Sequence, residues 1–245
     1  MRIAIISGGS RGIGEEISKT FMESGYKVII GSRSEPKFKL SNESVWVKMD
    51  ATTQSGHEKL FTEAKRESGF IQTYINNVGY SEWRSIENVD QTFIDHMFST
   101  NLFSTIYGCK VAAENLTSGG NIINISSIAG KRGTKNNSIY CATKFGVNGF
   151  TQALAKELGK KDIRVNAICP VLIKTEGLLE ALGKESSPAS NRIDNFFNIF
   201  IKQQVALSSL PNSKDVGKLC LFLASPDASS ITGQCINLDS GVIPS

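Results

Sequence analysis

Tyr140 and Lys144 stand four residues apart in a run with helical spacing, so a phenol and an ammonium would project from one helix face. A free tyrosine titrates near ~10 and shuttles protons poorly at neutral pH unless a neighbouring cation steadies the phenolate. The pair therefore reads as a proton relay in which Lys144 supplies that charge. A second chemical pattern lies near the amino terminus, where Ser7 to Gly14 reads SGGSRGIG. An apolar run feeding a glycine turn and then a helix start aims unpaired backbone N–H groups, and the positive end of the helix dipole, at a diphosphate. Glycine is needed there wherever a side chain would block the phosphate or φ must be positive. With only His57 and His96 in the chain, no metal site is expected.

Those groups need a scaffold, and the sequence describes one. Short runs rich in Ile and Val (RIAIIS, KVIIG, VWVKM, IQTYINN, NIINISS, IRVNAIC and QCINLD) recur between longer amphipathic stretches. Runs that are apolar at nearly every position suit strands buried on both faces, and their alternation with helices predicts a parallel sheet. Ile13, Ile17 and Phe21 would line one face of the first helix. From about Asp90 to Leu116, Phe93, Met97, Asn101 and Thr105 fall on one line and Phe98, Leu102 and Ile106 on the next, which predicts one long, mostly buried helix. No linker or repeat divides residues 1–245, so the expectation is a single α/β domain of the Rossmann type. Its doubly wound parallel sheet would carry helices on both faces, joined by right-handed crossovers. Only Glu176 to Pro211 breaks the rhythm, passing from GKESSPASNR to NFFNIF. It reads as a substrate lid, with core packing as the other reading of Phe196, Phe197 and Phe200.

The glycine turn with Gly8, Gly12 and Gly14, the NNVG run from Asn76 to Gly79, Ser127, and the YCATK run from Tyr140 to Lys144 occur in an order that resembles the short-chain dehydrogenase/reductase family. The likeness extends to the terminal ITGQCINLDSG and is nearest to members of the 3-oxoacyl-[acyl-carrier-protein] reductase type. It implies a catalytic set of Asn101, Ser127, Tyr140 and Lys144. Ser127 would bond the substrate oxygen, Asn101 would support a water relay, and Lys144 would also hold the nicotinamide ribose. It implies dinucleotide contacts at Gly8, Ser10, Arg11, Gly12, Ile13 and Gly14 in the turn, and at Asn76 and Gly79 by the adenosine ribose. Asp50 would lie near the adenine, and Pro170, Ile173 and Thr175 near the nicotinamide. Val171 and Val78 stand where the family usually has glycine and alanine. A carboxylate ending the second strand would bind a ribose 2′-hydroxyl, but Ser32 stands there with Arg33 after it, and Arg11 adds a second cation. NADP(H) is therefore the expected cofactor.

The implied function is NADPH-dependent reduction of a ketone, free or held as a 3-oxoacyl thioester on a carrier protein. The alternatives are an NAD-linked alcohol or steroid dehydrogenase and a non-catalytic dinucleotide-binding sensor. Towards a carrier protein the residues point both ways: Lys161 stands where the carrier-dependent members have a basic residue, and Ser118 stands in place of their arginine. A net charge of +4 without a long basic stripe argues against nucleic acid as a partner. Lys131, Arg132 and Lys135 form the nearest patch, either a solvated loop or a handle for an acidic ligand. No apolar run reaches the ~20 residues of a membrane helix, and five scattered cysteines make neither a disulfide framework nor a zinc site. A cytoplasmic homotetramer is expected.

Overall fold

The computed structural model describes residues 1–41 and 43–244. Its strands are β1 (Arg2–Ser7), β2 (Lys27–Ser32), β3 (Val45–Lys48), β4 (Phe70–Asn76), β5 (Asn121–Ile125), β6 (Arg164–Pro170) and β7 (Cys235–Leu238). They form one parallel sheet in the order β3-β2-β1-β4-β5-β6-β7. The apolar runs of the sequence fall on these strands to within a residue or two. Parallel strands covered on both sides must be apolar at successive positions, and β1 shows why. Ile3 and Ile5 enter one core, and Ala4 and Ile6 enter the other.

The helices are α1 (Gly12–Glu23), α2 (Gln54–Arg66), α3 (Gln91–Phe98), α4 (Ser104–Asn115), α5 (Ser138–Leu158), α6 (Glu176–Leu182), α7 (Ile193–Gln204) and α8 (Ser213–Ala224). Ile17 and Phe21 of α1 pack with Val216, Cys220 and Leu223 of α8 on one face of the sheet. Leu60 and Phe61 of α2, Cys109 and Val111 of α4, and Leu154 and Leu158 of α5 cover the other. Strand order reverses between β1 and β4, and the glycine turn opens at the carboxyl end of β1, in the crevice where such sheets bind ligands.

One expectation needs correction. The stretch from Asp90 to Leu116 is not one α-helix, because a π-helical segment, Ser99–Phe103, separates α3 from α4. Asn101 lies in the middle of that widened turn, and its side-chain amide donates to the Met97 carbonyl at 3.1 Å. Phe93, Met97, Asn101 and Thr105 are all buried as anticipated. The segment 176–211 lies outside the strand–helix alternation. It folds into α6 and α7 around a satellite cluster in which Phe197, Leu182 and Ala189 close on Trp83, with Phe196 half-buried at its margin.

Candidate active site

The turn after β1 is shaped by what it excludes. Gly8 takes φ +74°, and a Cβ there would stand 2.9 Å from the Val78 side chain. A Cβ on Gly14 would fall 2.0 Å from the Gly8 carbonyl oxygen, so no larger residue fits. Ser18 closes the loop from within α1, donating to the carbonyls of Gly9 at 3.0 Å and Gly14 at 2.9 Å. Arg11 occupies the N-cap of α1 in an extended conformation with no side-chain cap, which leaves the first N–H groups of the helix to an outside acceptor. Gly12 looks across the cleft at Thr175, whose methyl would lie 3.5 Å from a Cβ at that position. This cradle fits a diphosphate, with Ser10 and Ile13 half-buried at its edge.

Downstream of the cradle, β5 is followed by Ser126 and Ser127, which the fold uses differently. Ser126 is buried and donates to the Lys144 carbonyl at 3.4 Å, anchoring α5. Ser127 caps the short turn Ile128–Gly130, accepting from the Ala129 N–H at 3.1 Å, and its hydroxyl acts on the Tyr140 phenol. Lys144 is buried beneath that ring, its Nζ 5.8 Å from the ring centroid and donating to the Ile125 carbonyl at 3.0 Å.

Burial pushes the phenol of the half-buried Tyr140 up to about 12, with the Ser127 hydroxyl pulling the other way. Burial also pulls Lys144 down to about 8. Burial thus works against ionising either group. Desolvation penalises both charged forms, and it outweighs an ammonium that is itself hard to keep charged. At neutral pH the phenol holds its proton.

Asn101 completes the group in an unexpected way. Its Oδ1 accepts from the Tyr80 N–H at 2.9 Å, and its Nδ2 donates to the Tyr80 carbonyl at 2.9 Å as well as to Met97. The side chain is committed to clamping this segment. Gly79 lies beside it, where a Cβ would stand 3.3 Å from Asn101 Oδ1 and 3.7 Å from Lys144 Nζ. Glycine here leaves Lys144 a clear face.

At the far end of the cleft, Ser32 is buried, donating to the Ser34 carbonyl at 2.7 Å and accepting from Trp46 Nε1 at 2.9 Å. Arg33 is exposed beside it. Asp50 accepts from the backbone and hydroxyl of Thr52, which hold its carboxyl below the usual range, and Arg33 is near enough to add to the effect. Asn76 is the last residue of β4. Its side chain turns into the α4 layer, donating to Asn124 at 2.9 Å and to the Cys109 sulfur at 3.4 Å. Asn77 takes the position at the cleft, its Nδ2 donating to the Gly8 carbonyl at 2.8 Å. That residue was missed; the doubled asparagine was the available signal, and only the strand's facing tells the two apart. Pro170 ends β6, and the Ile173 side chain is buried in the core of the α1 face, so its backbone alone can face the cleft. Among the described residues no helix is long and apolar enough to cross a membrane, and no cluster of His, Cys, Asp or Glu could hold a metal.

This arrangement has counterparts. A family model described as "Enoyl-(Acyl carrier protein) reductase" matches residues 8–243. The chain is 35% identical to a 7alpha-hydroxysteroid dehydrogenase of Bacteroides fragilis, with 98% of this chain and 94% of that protein covered. It is 31% identical to a diacetyl reductase [(S)-acetoin forming] of Staphylococcus epidermidis, covering 99% and 98%. The chain belongs to the short-chain dehydrogenase/reductase family. A solved aldohexose dehydrogenase of Thermoplasma acidophilum superposes with a TM-score of 0.89 at 28% identity, covering 98% of this chain and 93% of the other. As a short-chain dehydrogenase/reductase the protein is an oxidoreductase that binds a nicotinamide dinucleotide. Its two departures from the family pattern are locally tolerated. Val171 is not among the residues with positive φ and is buried, and Val78 packs against the Gly8 turn.

Proposed function

We propose that this protein reduces a ketone to a secondary alcohol with NADPH, Tyr140 serving as general acid. The carrying observation is the placement of Tyr140 beside the Ser127 hydroxyl and over the buried Lys144, whose Nζ lies 5.8 Å from the ring centroid, with burial raising the phenol and lowering the ammonium. An acid poised this way serves reduction at neutral pH, whereas oxidation would need the phenolate. When bound, NADPH supplies the hydride. Ser127 donates to the substrate oxygen as negative charge develops on it, and Tyr140 delivers its proton to the same atom. Lys144 holds the ribose hydroxyls on the open side left by Gly79 and returns a proton to Tyr140. These groups titrate as a unit, so the pH–rate profile belongs to the relay and not to one residue. In this reading reduction slows as pH rises through that range, and the reverse reaction quickens.

For the substrate, a free ketone is favoured over a carrier-bound one. Lys161 bonds the Ala113 carbonyl at 3.3 Å, and Ser118 donates to Asp162 at 2.9 Å, placing a carboxylate where an acidic carrier would need a cation. The diacetyl reductase among the relatives supports a small diketone. The hydroxysteroid dehydrogenase, similar over nearly the whole chain, supports a second reading as a steroid alcohol dehydrogenase. Cofactor choice rests on Ser32 in place of a carboxylate, with the exposed guanidinium groups of Arg33 and Arg11 free to bond a 2′-phosphate.

Purified protein should consume NADPH with diacetyl faster than with a 3-oxoacyl thioester, and faster than it reduces NADP in the presence of a 7α-hydroxysteroid. Tyr140→Phe should lose at least about a hundredfold in turnover while binding NADPH normally, as expected for positioned acid catalysis. A silent panel with intact NADPH binding would instead mark a dinucleotide sensor.

A further inference from the structure

The segment Tyr80 to Arg84 joins parts of the molecule that the fold otherwise keeps apart. On its inner side the main chain of Tyr80 is held at both N–H and C=O by Asn101, next to Lys144. Further along, the Arg84 N–H donates to the Asn136 carbonyl at 2.6 Å, close before Tyr140. On its outer side it meets the segment 176–211. Trp83 packs on Phe197 and Leu182, and Ser186 donates to the Trp83 carbonyl.

Glu82 lies at the centre of these contacts. Its side chain is only 10% exposed and accepts from three donors: the Lys184 ammonium just beyond α6, the Tyr80 hydroxyl, and Arg84 Nη2 at 2.8 Å. Lys184 also reaches the Tyr80 hydroxyl at 3.4 Å, closing a triangle. Burial works to raise this carboxyl, and the three donors overcome it, leaving the group at about 2 and ionised throughout the working range. A carboxylate so enclosed, with all its donors satisfied, holds them in one geometry, and losing any one leaves charge uncompensated.

We propose that Glu82 is a positioning residue that latches the segment α6–α7, through Lys184, to the Tyr80–Asn101 clamp beside the proton relay. Closure over the substrate and alignment of the relay are then one event. This rests on the reductase reading above for its kinetic consequence, but the latch itself is independent of it. Trp83 packing and the Ser186 bond already join the two segments, and the Glu82–Lys184 pair adds the ionic link that ties the end of α6 to the Tyr80–Asn101 clamp.

The full chain carrying Glu82→Gln, Lys184→Gln, both changes, or Lys184→Arg tests this by hydrogen exchange, NADPH titration and diacetyl reduction. Amide exchange across 176–204 should quicken about tenfold in Glu82→Gln and in Lys184→Gln, and stay near wild type in Lys184→Arg, which keeps the ion pair. Each of the two neutral variants should lower kcat by about tenfold with NADPH affinity unchanged, and the double variant should fall no further, because one broken link opens the same latch. Unaltered exchange in 176–204 would overturn the latch, as would losses that multiply in the double variant. Lys184 is partly exposed, so its variant remains folded if Glu82→Gln does not. If wild-type protein fails to reduce diacetyl, the function reading fails, while exchange still decides the latch.

Discussion

At the scale of single residues, Lys144 shows what a relay requires of the fold. Its folded pKa, pulled by burial from 10.5 to about 8, means that below pH 8 the protein carries an ammonium the interior disfavours. Between pH 8 and 10.5 the folded chain releases that proton before the unfolded chain does, so this group's penalty fades as pH rises. Lys144→Met should therefore raise Tm slightly at pH 7 and lose the advantage towards pH 10. A penalty of roughly 3 kcal/mol is at least as large as the ~1.5–3 kcal/mol of the charge-assisted bond to Ile125 that is lost with it, so the net gain is small. Above pH 10 Tyr140, raised to about 12, works oppositely, because the unfolded phenol ionises first. A Tm for Lys144→Met below wild type at pH 7 would contradict this. At the adenosine end, Arg33→Ala is a cleaner test of cofactor choice than Ser32→Asp, since Ser32 is buried and bonded to Ser34 and Trp46. The loss of one charge-assisted bond, ~1.5–3 kcal/mol, should weaken NADPH roughly tenfold to a hundredfold and barely change NADH. Equal weakening of both by fluorescence titration would remove Arg33 from the phosphate site.

Among elements, the β1–α1 junction is the least forgiving. Gly14→Ala sets a methyl 2.0 Å from a backbone oxygen that cannot move without opening the turn. It should lower Tm and weaken dinucleotide binding by at least about tenfold, as a misplaced phosphate cradle loses several backbone bonds. Gly177→Ala in α6 meets no atom within 4 Å and should leave binding intact, with a stability gain of about 0.5–1 kcal/mol from helix propensity. A calorimetric and titration comparison separates the two. The π-helical step at Ser99–Phe103 is likewise an element-scale device, because it turns Asn101 towards Tyr80 where a continuous α-helix would have carried it elsewhere.

For the whole molecule, α4 and α5 lie side by side, with Phe103 just before α4 exposed at 43% and Phe145 on α5 at 49%. Apolar surface of this kind supports the proposed homotetramer. Light scattering at micromolar concentration should give four times the chain mass, and Phe145→Asp should shift it towards smaller species; a monomeric wild type would refute it. The basic patch stays open to solvent at Arg132 and Lys135, while Lys131 is half-buried.

The sequence by itself determined the parallel sheet and the position of the dinucleotide cradle, because those depend on local facts. Consecutive apolar residues such as Ile3 to Ile6 suit only a strand buried on both faces, and Gly8, Gly12 and Gly14 record where side chains cannot stand. It also named Tyr140 and Lys144, since four residues of helix place them together. Tertiary structure decided what depends on distant neighbours. It turned Asn76 inward and Asn77 towards the turn, broke the predicted long helix at Asn101, and buried the Tyr140–Lys144 pair so that desolvation acts on both groups. It alone brought Glu82 to Lys184 across 102 positions of chain. Pairing and burial are properties of the packed interior, where desolvation and hydrogen-bond partners are set by residues remote in sequence.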